Sequence, residues 1–109
     1  AGQGIIAMQC RENDLEIFNL LKTINDKKTY ICAKAERNVL KILEGSCETA
    51  ICVHASLKKN RITIEAELFS LDGSKRYYEK RTKNKKDFFK LSKEIGKILK
   101  TKSQGLYRK

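Results

Sequence analysis

Proline and tryptophan are absent from this 109-residue sequence, and methionine and histidine occur once each. Without proline there is no basis for a polyproline linker, and 40% apolar with 34% charged residues separates the chain from low-complexity sequences. Long hydrophobic runs are missing as well. The longest, Gly4 to Met8 and Ala50 to Val53, fall far short of the roughly 20 residues of a membrane helix, so no segment is expected to span a bilayer. A lone histidine, His54, and four cysteines at 10, 32, 47 and 52 with no C-x-x-C pair offer no zinc-ligand spacing, and no metal site is expected. The start Ala1-Gly2-Gln3-Gly4 lacks the charged region and apolar stretch of an export signal, which makes the cytoplasm, with reduced thiols, the expected setting. At 12.5 kDa the chain has room for one compact domain with a modest core, which excludes a multi-domain enzyme within it.

What is present in excess is positive charge, and it is uneven. Residues 1–57 balance seven bases against seven acids, whereas residues 58–109 hold 17 bases and six acids and so carry the whole net charge of +11. A field of that sign attracts anions such as nucleic acid, anionic lipid or acidic substrates. Thirteen of those 17 bases are lysines, strongly hydrated point charges that commonly do no more than solvate a face.

Along the chain, Ile5 to Cys10 is a short apolar run after Gly-Gln-Gly and suits a buried strand. A lone strand needs partners for its backbone groups, so the opening reads as a piece of something larger. Asn13 with Glu16 has the capping-box spacing, and Ile17, Leu20, Leu21 and Ile24 follow at helical intervals, predicting a helix over about 14–24. Asp26 then caps a second helix with an inward stripe of Cys32, Ala35, Val39 and Ile42, and Gly45 ends it. From Ala50 the period changes to two: Ile51, Val53, Ala55 and Leu57 face one way and Cys52, His54 and Ser56 the other. Ile62, Ile64, Ala66 and Leu68 repeat the alternation, and Asp72-Gly73 turns the chain into a third strand near Arg76 to Arg81. A last helix is expected with Asn84 as N-cap, Asp87 in its first turn and Phe88, Leu91, Ile95 and Ile98 inward, before a frayed basic tail to Lys109. The expected fold is α+β, a two-layer sandwich in the order α-β-β-β-α. Its three-stranded antiparallel sheet has helices on one face and is preceded by a strand-helix remnant, so that residues 1–25 and 26–109 form separate units.

Cys10 and Cys32 fall on inward positions, where a thiol acts as a small apolar group. Cys47 stands apart, in the short link between a helix end and a strand, a place where function tends to sit. Glu44, Glu48 and the negative end of the helix dipole all oppose a thiolate there. A cysteine modified once and then left modified fits better than a freely reactive nucleophile.

The run Ala35-Glu36-Arg37-Asn38-Val39-Leu40-Lys41-Ile42-Leu43-Glu44-Gly45-Ser46-Cys47-Glu48-Thr49 resembles the cofactor-attachment signature of the hydroxymethylbilane synthase family, also called porphobilinogen deaminases. Gly2 to Arg11 is similar to a segment that precedes it in that family, and Asp72-Gly73 falls where the family has a hairpin. Ala50 stands where a proline is usual, and Cys52 where a small residue is usual. The resemblance covers nearly the whole chain as the C-terminal third of a three-domain enzyme. It implies that Cys47, with Gly45 and Ser46 beside it, carries a dipyrromethane cofactor through a thioether. It also implies that the complete enzyme, a monomer, adds four porphobilinogen units to this primer before releasing linear hydroxymethylbilane for heme biosynthesis. Arg11 and Arg37 match family arginines suited to the acetate and propionate groups of the growing oligopyrrole, with Gln3 and Gly4 as further substrate-binding positions. The catalytic carboxylate lies in the other two domains, so the resemblance implies no catalytic residue in this chain, no activity from it alone and no unaided cofactor assembly. Asn25-Asp26 then becomes a candidate hinge.

Two other classes compete. Helix, three strands and helix, with Lys83, Lys85, Lys86 and Lys90 around the start of the last helix, resembles the layout of double-stranded RNA-binding domains. Phe88 and Phe89 interrupt that basic helix start and no Gly-rich loop precedes it, so neither nucleic acid nor a membrane is the expected partner. A thiol redox protein using Cys47 and Cys52 lacks the C-x-x-C motif.

Overall fold

Asp14 caps the first helix, α1 (Leu15–Ile24), its carboxylate accepting from the Ile17 amide at 3.1 Å. Asn13, the expected cap, is displaced by its neighbour, whose carboxylate is an equally strong acceptor one residue nearer the first turn. After an extended Asn25, Asp26 accepts from Lys28 and Thr29 and starts α2 (Lys27–Leu43) as expected. The Thr29 amide, first among several donors, holds the Asp26 carboxyl below the usual range. The structure, a computed structural model, describes residues 2, 4–44, 50–105 and 107.

Three antiparallel strands follow in the order β1 (Ile51–Lys58), β2 (Arg61–Phe69) and β3 (Arg76–Asn84), with β2 central. Ile51 pairs with Leu68 and Leu57 with Ile62; Arg61 pairs with Asn84 and Phe69 with Arg76. The turn before β3 is organised by Asp72, which accepts from the Ser70 hydroxyl (2.6 Å), the Ser74 hydroxyl (2.7 Å) and the Ser74 amide (2.9 Å). These donors keep its carboxyl well below the ordinary carboxylate range. Gly73, at φ 75°, takes the left-handed position there, which a side chain would strain.

The alternation read from the sequence puts Ile62, Ile64, Ala66 and Leu68 of β2 inward, all at most 1% exposed, with Val53 and Ala55 of β1 beside them. Ala35, Val39 and Leu43 of α2 and Leu91, Ile95 and Leu99 of α3 (Phe88–Ser103) cover that face, giving the two-layer α+β sandwich. The helices meet closely. Asn38 donates to Ser92 at 2.6 Å, and a Cβ added to Gly96 would lie 2.6 Å from Ile42 Cγ2, so only glycine fits there.

Several expectations need correction. Residues 5–10 form no strand; Ile5 and Cys10 are half-buried and the rest exposed, because no second strand lies beside them to accept their backbone groups. Cys32 is only half-buried. The helix ends at Leu43, with Glu44 itself in the left-handed C-cap conformation (φ 56°, ψ 38°); Gly45 lies outside the described residues. Asn84 caps a short 3-10 turn, Lys85–Asp87, so α3 starts later than expected, with Asp87 as its N-cap. On α3 it is Leu99 rather than Ile98 that completes the buried stripe, since spacings of four hold the core side better than three. The tail does not fray throughout: Tyr107 is 1% exposed and packed into the core.

Candidate functional site

The link singled out by the sequence lies between two fixed ends. On one side α2 closes with the Glu44 amide donating to Leu40 and Lys41 carbonyls, and the Leu43 carbonyl accepts a 2.7 Å bond from the Tyr107 hydroxyl. On the other, the Ala50 carbonyl accepts from the Phe69 amide at 3.1 Å, so Ala50 is held at the sheet even where a proline is usual in the resembling family. Cys47, Gly45 and Ser46 lie outside the described residues, as does Gln3.

Arg37 is exposed on α2, and with Lys34 and Lys41 it sits on the side away from the buried stripe of Ala35, Val39 and Leu43. Arg11 is exposed in the turn before α1, where its carbonyl accepts from Asp14. Among the described residues neither arginine makes an ion pair, which leaves both guanidinium forks available for a carboxylate. The N-terminal stretch is brought to the same helix: the Gly2 amide donates to Glu36, next to Arg37, at 2.7 Å, and Gly4 follows, exposed, at φ 77°. The structure therefore places Gly2 beside the helix that carries Arg37.

Glu36 escaped the sequence reading as a site residue. It is 5% exposed, with one carboxylate oxygen accepting from Gly2 and the other from the Ala55 amide of β1 at 3.0 Å; His54 Nδ1 lies 4.0 Å away. A carboxylate at helical spacing from Val39, on the inward side of α2, was the available signal. Tyr107 was missed too, although an aromatic ring within a basic tail is itself a hint of docking.

An open groove of about 930 Å³ runs along the free edge of β1, past Cys32, Glu36, His54, Glu65 and Glu67. Its acids are already committed, Glu65 to the Tyr78 hydroxyl and Glu67 to Arg76 at 2.5 Å. Lys28 and Arg76 line the groove as well, so its charge is mixed, whereas the Arg37 side of α2 is basic and attracts a carboxylate-bearing ligand. Burial, helped by Glu36 and Asp26, pushes the Cys32 thiol up, so this cysteine is not an activated nucleophile. Among the described residues no group of three His, Cys, Asp or Glu side chains could hold a metal ion, and no helix is long and apolar enough to cross a membrane.

Fold and surface together define an α+β domain of two layers, in which a helix with an exposed basic side delivers the chain into a short link before a sheet edge. A family model described as porphobilinogen deaminase, C-terminal domain, matches residues 30–102, and the chain belongs to that family. The porphobilinogen deaminase of Desulforamulus reducens is 46% identical over 74 residues, which cover 68% of this chain and 24% of that protein. Those of Staphylococcus carnosus and of Wolbachia sp. subsp. Drosophila simulans are each 36% identical, over 91% and 93% of this chain and 32% and 34% of their own lengths. The chain thus spans about a quarter to a third of the curated relatives it matches. These matches do not favour the RNA-binding alternative.

Proposed function

We propose that the chain is the cofactor-attachment part of a hydroxymethylbilane synthase, a transferase of tetrapyrrole and heme biosynthesis. The complete enzyme joins four porphobilinogen units into linear hydroxymethylbilane on a dipyrromethane primer held as a thioether by Cys47. The observation that supports this most strongly is the family match over residues 30–102, which includes the Glu36-Arg37 to Gly45-Ser46-Cys47 spacing. The described donors suit such a group: Arg37 and Lys41 stand one turn apart on the exposed side of α2, with no ion pair among the described residues.

When bound, the dipyrromethane supplies a pyrrole carbon to which further units are joined. The chain's own residues have narrower tasks. Arg37, with Arg11, Gly4 and Gln3, binds and orients acidic side groups, while Gly45 and Ser46 are cofactor-binding positions beside Cys47. Loss of ammonia from substrate needs a general acid. Glu36 is taken up by two backbone amides, and Glu65 and Glu67 by Tyr78 and Arg76, so none of them is free for that task. As the family resemblance implies, the acid belongs to the other domains of the complete enzyme, and this chain alone is inactive and carries no cofactor. In the same reading residues 1–25 belong to a preceding domain and 26–109 to the attachment domain, Asn25-Asp26 being the hinge between them. The complete enzyme is a cytoplasmic monomer with neither nucleic acid nor membrane as partner.

Intact mass spectrometry of the complete gene product tests the core of this. Cys47→Ser should remove an adduct of two pyrrole units and reduce bilane output to background. An adduct or normal output surviving that change would overturn the assignment, as would an adduct on the 109-residue chain expressed alone.

A further inference from the structure

We infer that Tyr107 is a positioning residue for the attachment segment, acting through the last turn of α2. The inference rests on the reading of Cys47 as the anchor. The last carbonyls of a helix have no partner within it, and each buried one must find a donor elsewhere. At Leu43 the donor is the Tyr107 hydroxyl, 64 residues along the chain, at 2.7 Å. The ring is 1% exposed and packs among the core residues. Phenylalanine would fill that space; the hydroxyl adds a fixed point on the carbonyl that closes α2.

Two neighbouring contacts hold the same half of the helix. Asn38 donates to Ser92, and Ile42 sits where a side chain on Gly96 would have to be. Together with Tyr107 they tie α2 at positions 38, 42 and 43, all from α3 or the segment after it. Leu43 precedes Cys47 by four residues, and only Glu44 lies between its carbonyl and the end of the described stretch before the sulfur. Reacting atoms must be presented within fractions of an ångström, and a shift of about 1 Å at a distance from the chemistry can cost a large factor in rate. Tyr107 touches neither cofactor nor substrate in this account; it sets where the anchoring chain departs.

The test uses the complete gene product. Tyr107→Phe should lower kcat for bilane formation roughly tenfold while leaving KM within about twofold, since substrate contacts are unchanged. Ile64→Val, a core trim in β2 far along the chain from α2, should lower thermal stability without lowering kcat. Replacing Tyr107 by p-aminophenylalanine, which restores an N–H donor, should return kcat to within about twofold of the parent. Wild-type kcat in Tyr107→Phe, an equal loss in Ile64→Val, or no recovery with the amine would each overturn the inference. Should Tyr107→Phe not accumulate as folded protein, p-aminophenylalanine and p-methoxyphenylalanine at 107 give the same contrast, and equal kcat values for that pair would overturn it. Survival of the pyrrole adduct in Cys47→Ser is a different failure, that of the attachment reading itself.

Discussion

Helices α1 and α3 carry the same kind of message in sequence, apolar residues recurring at three and four, yet their fates differ. α3 buries six residues, Leu91, Ser92, Ile95, Gly96, Leu99 and Ser103, whereas α1 buries none; Leu15, Leu20 and Ile24 are 68%, 58% and 63% exposed. Periodicity specifies that a helix has an apolar side, not what that side rests on. The sheet offers one apolar face, and α2 with α3 fills it. In the proposed division α1 belongs with a preceding domain.

The largest effect expected is that of a core truncation. In denaturant unfolding of the 109-residue chain, Leu91→Ala should cost about 2–5 kcal/mol. Leu20→Ala in α1 should change stability by no more than about 0.5 kcal/mol. Equal losses at the two positions would mean that α1 is packed after all.

Next in size is Gly96→Ala, which sharpens the account of how α3 meets α2. The added methyl has to displace Ile42, and its Cβ as well as its Cγ2 lies under 3 Å from the new atom. Overpacking of this kind costs about 1–3 kcal/mol, and double substitution with Ile42→Ala should recover part of the loss. A fully neutral Gly96→Ala would show the helices to be looser than described.

The smallest effect is electrostatic and is confined to the packed region. Lys102, at 2.9 Å, and then Arg81 depress the Glu79 carboxyl, Lys83 depresses Glu94, and Arg76 depresses Glu67. Carboxyls whose folded values lie below the ordinary 4.5 stabilise the fold above that pH and lose the contribution as pH falls through the lower folded values. Stability should therefore hold from neutrality to about pH 4.5 and decline below it. Because these pairs are substantially solvent-accessible, 1 M salt should flatten the decline; an acid limb unchanged by salt would argue against them as its source.

The order α-β-β-β-α and the inward faces of β1 and β2 were legible because alternation over eight or nine residues leaves a strand no other register that buries its apolar side. Asp26 and Asp72 were legible because a carboxylate at a cap or turn acts on amides two or three residues away. What stayed hidden depends on distant partners. Ile5 to Cys10 has the composition of a strand, but only a neighbouring strand makes it one. Tyr107 reads as part of a basic tail until the carbonyl 64 residues earlier is placed beside it. Glu36 reads as a surface acid of a signature until the amides of Gly2 and Ala55 converge on it. Of the site residues taken from the family resemblance, Arg11, Arg37 and Gly4 are exposed in the structure, while Cys47, Gly45, Ser46 and Gln3 fall outside the described residues.

The engagement of Ala55 by Glu36 also bears on how the molecule behaves in a crowded solution. A three-stranded sheet has two outer strands, each a template on which a stray chain could add itself. On β1 the buried carboxylate already occupies one outward-pointing amide, and β3 carries Lys80 beside Arg76, Arg81 and Lys83, each of these three paired with an acid. Each border of the sheet thus carries a deterrent to fibril-like growth, a taken amide on β1 and a densely charged strand on β3.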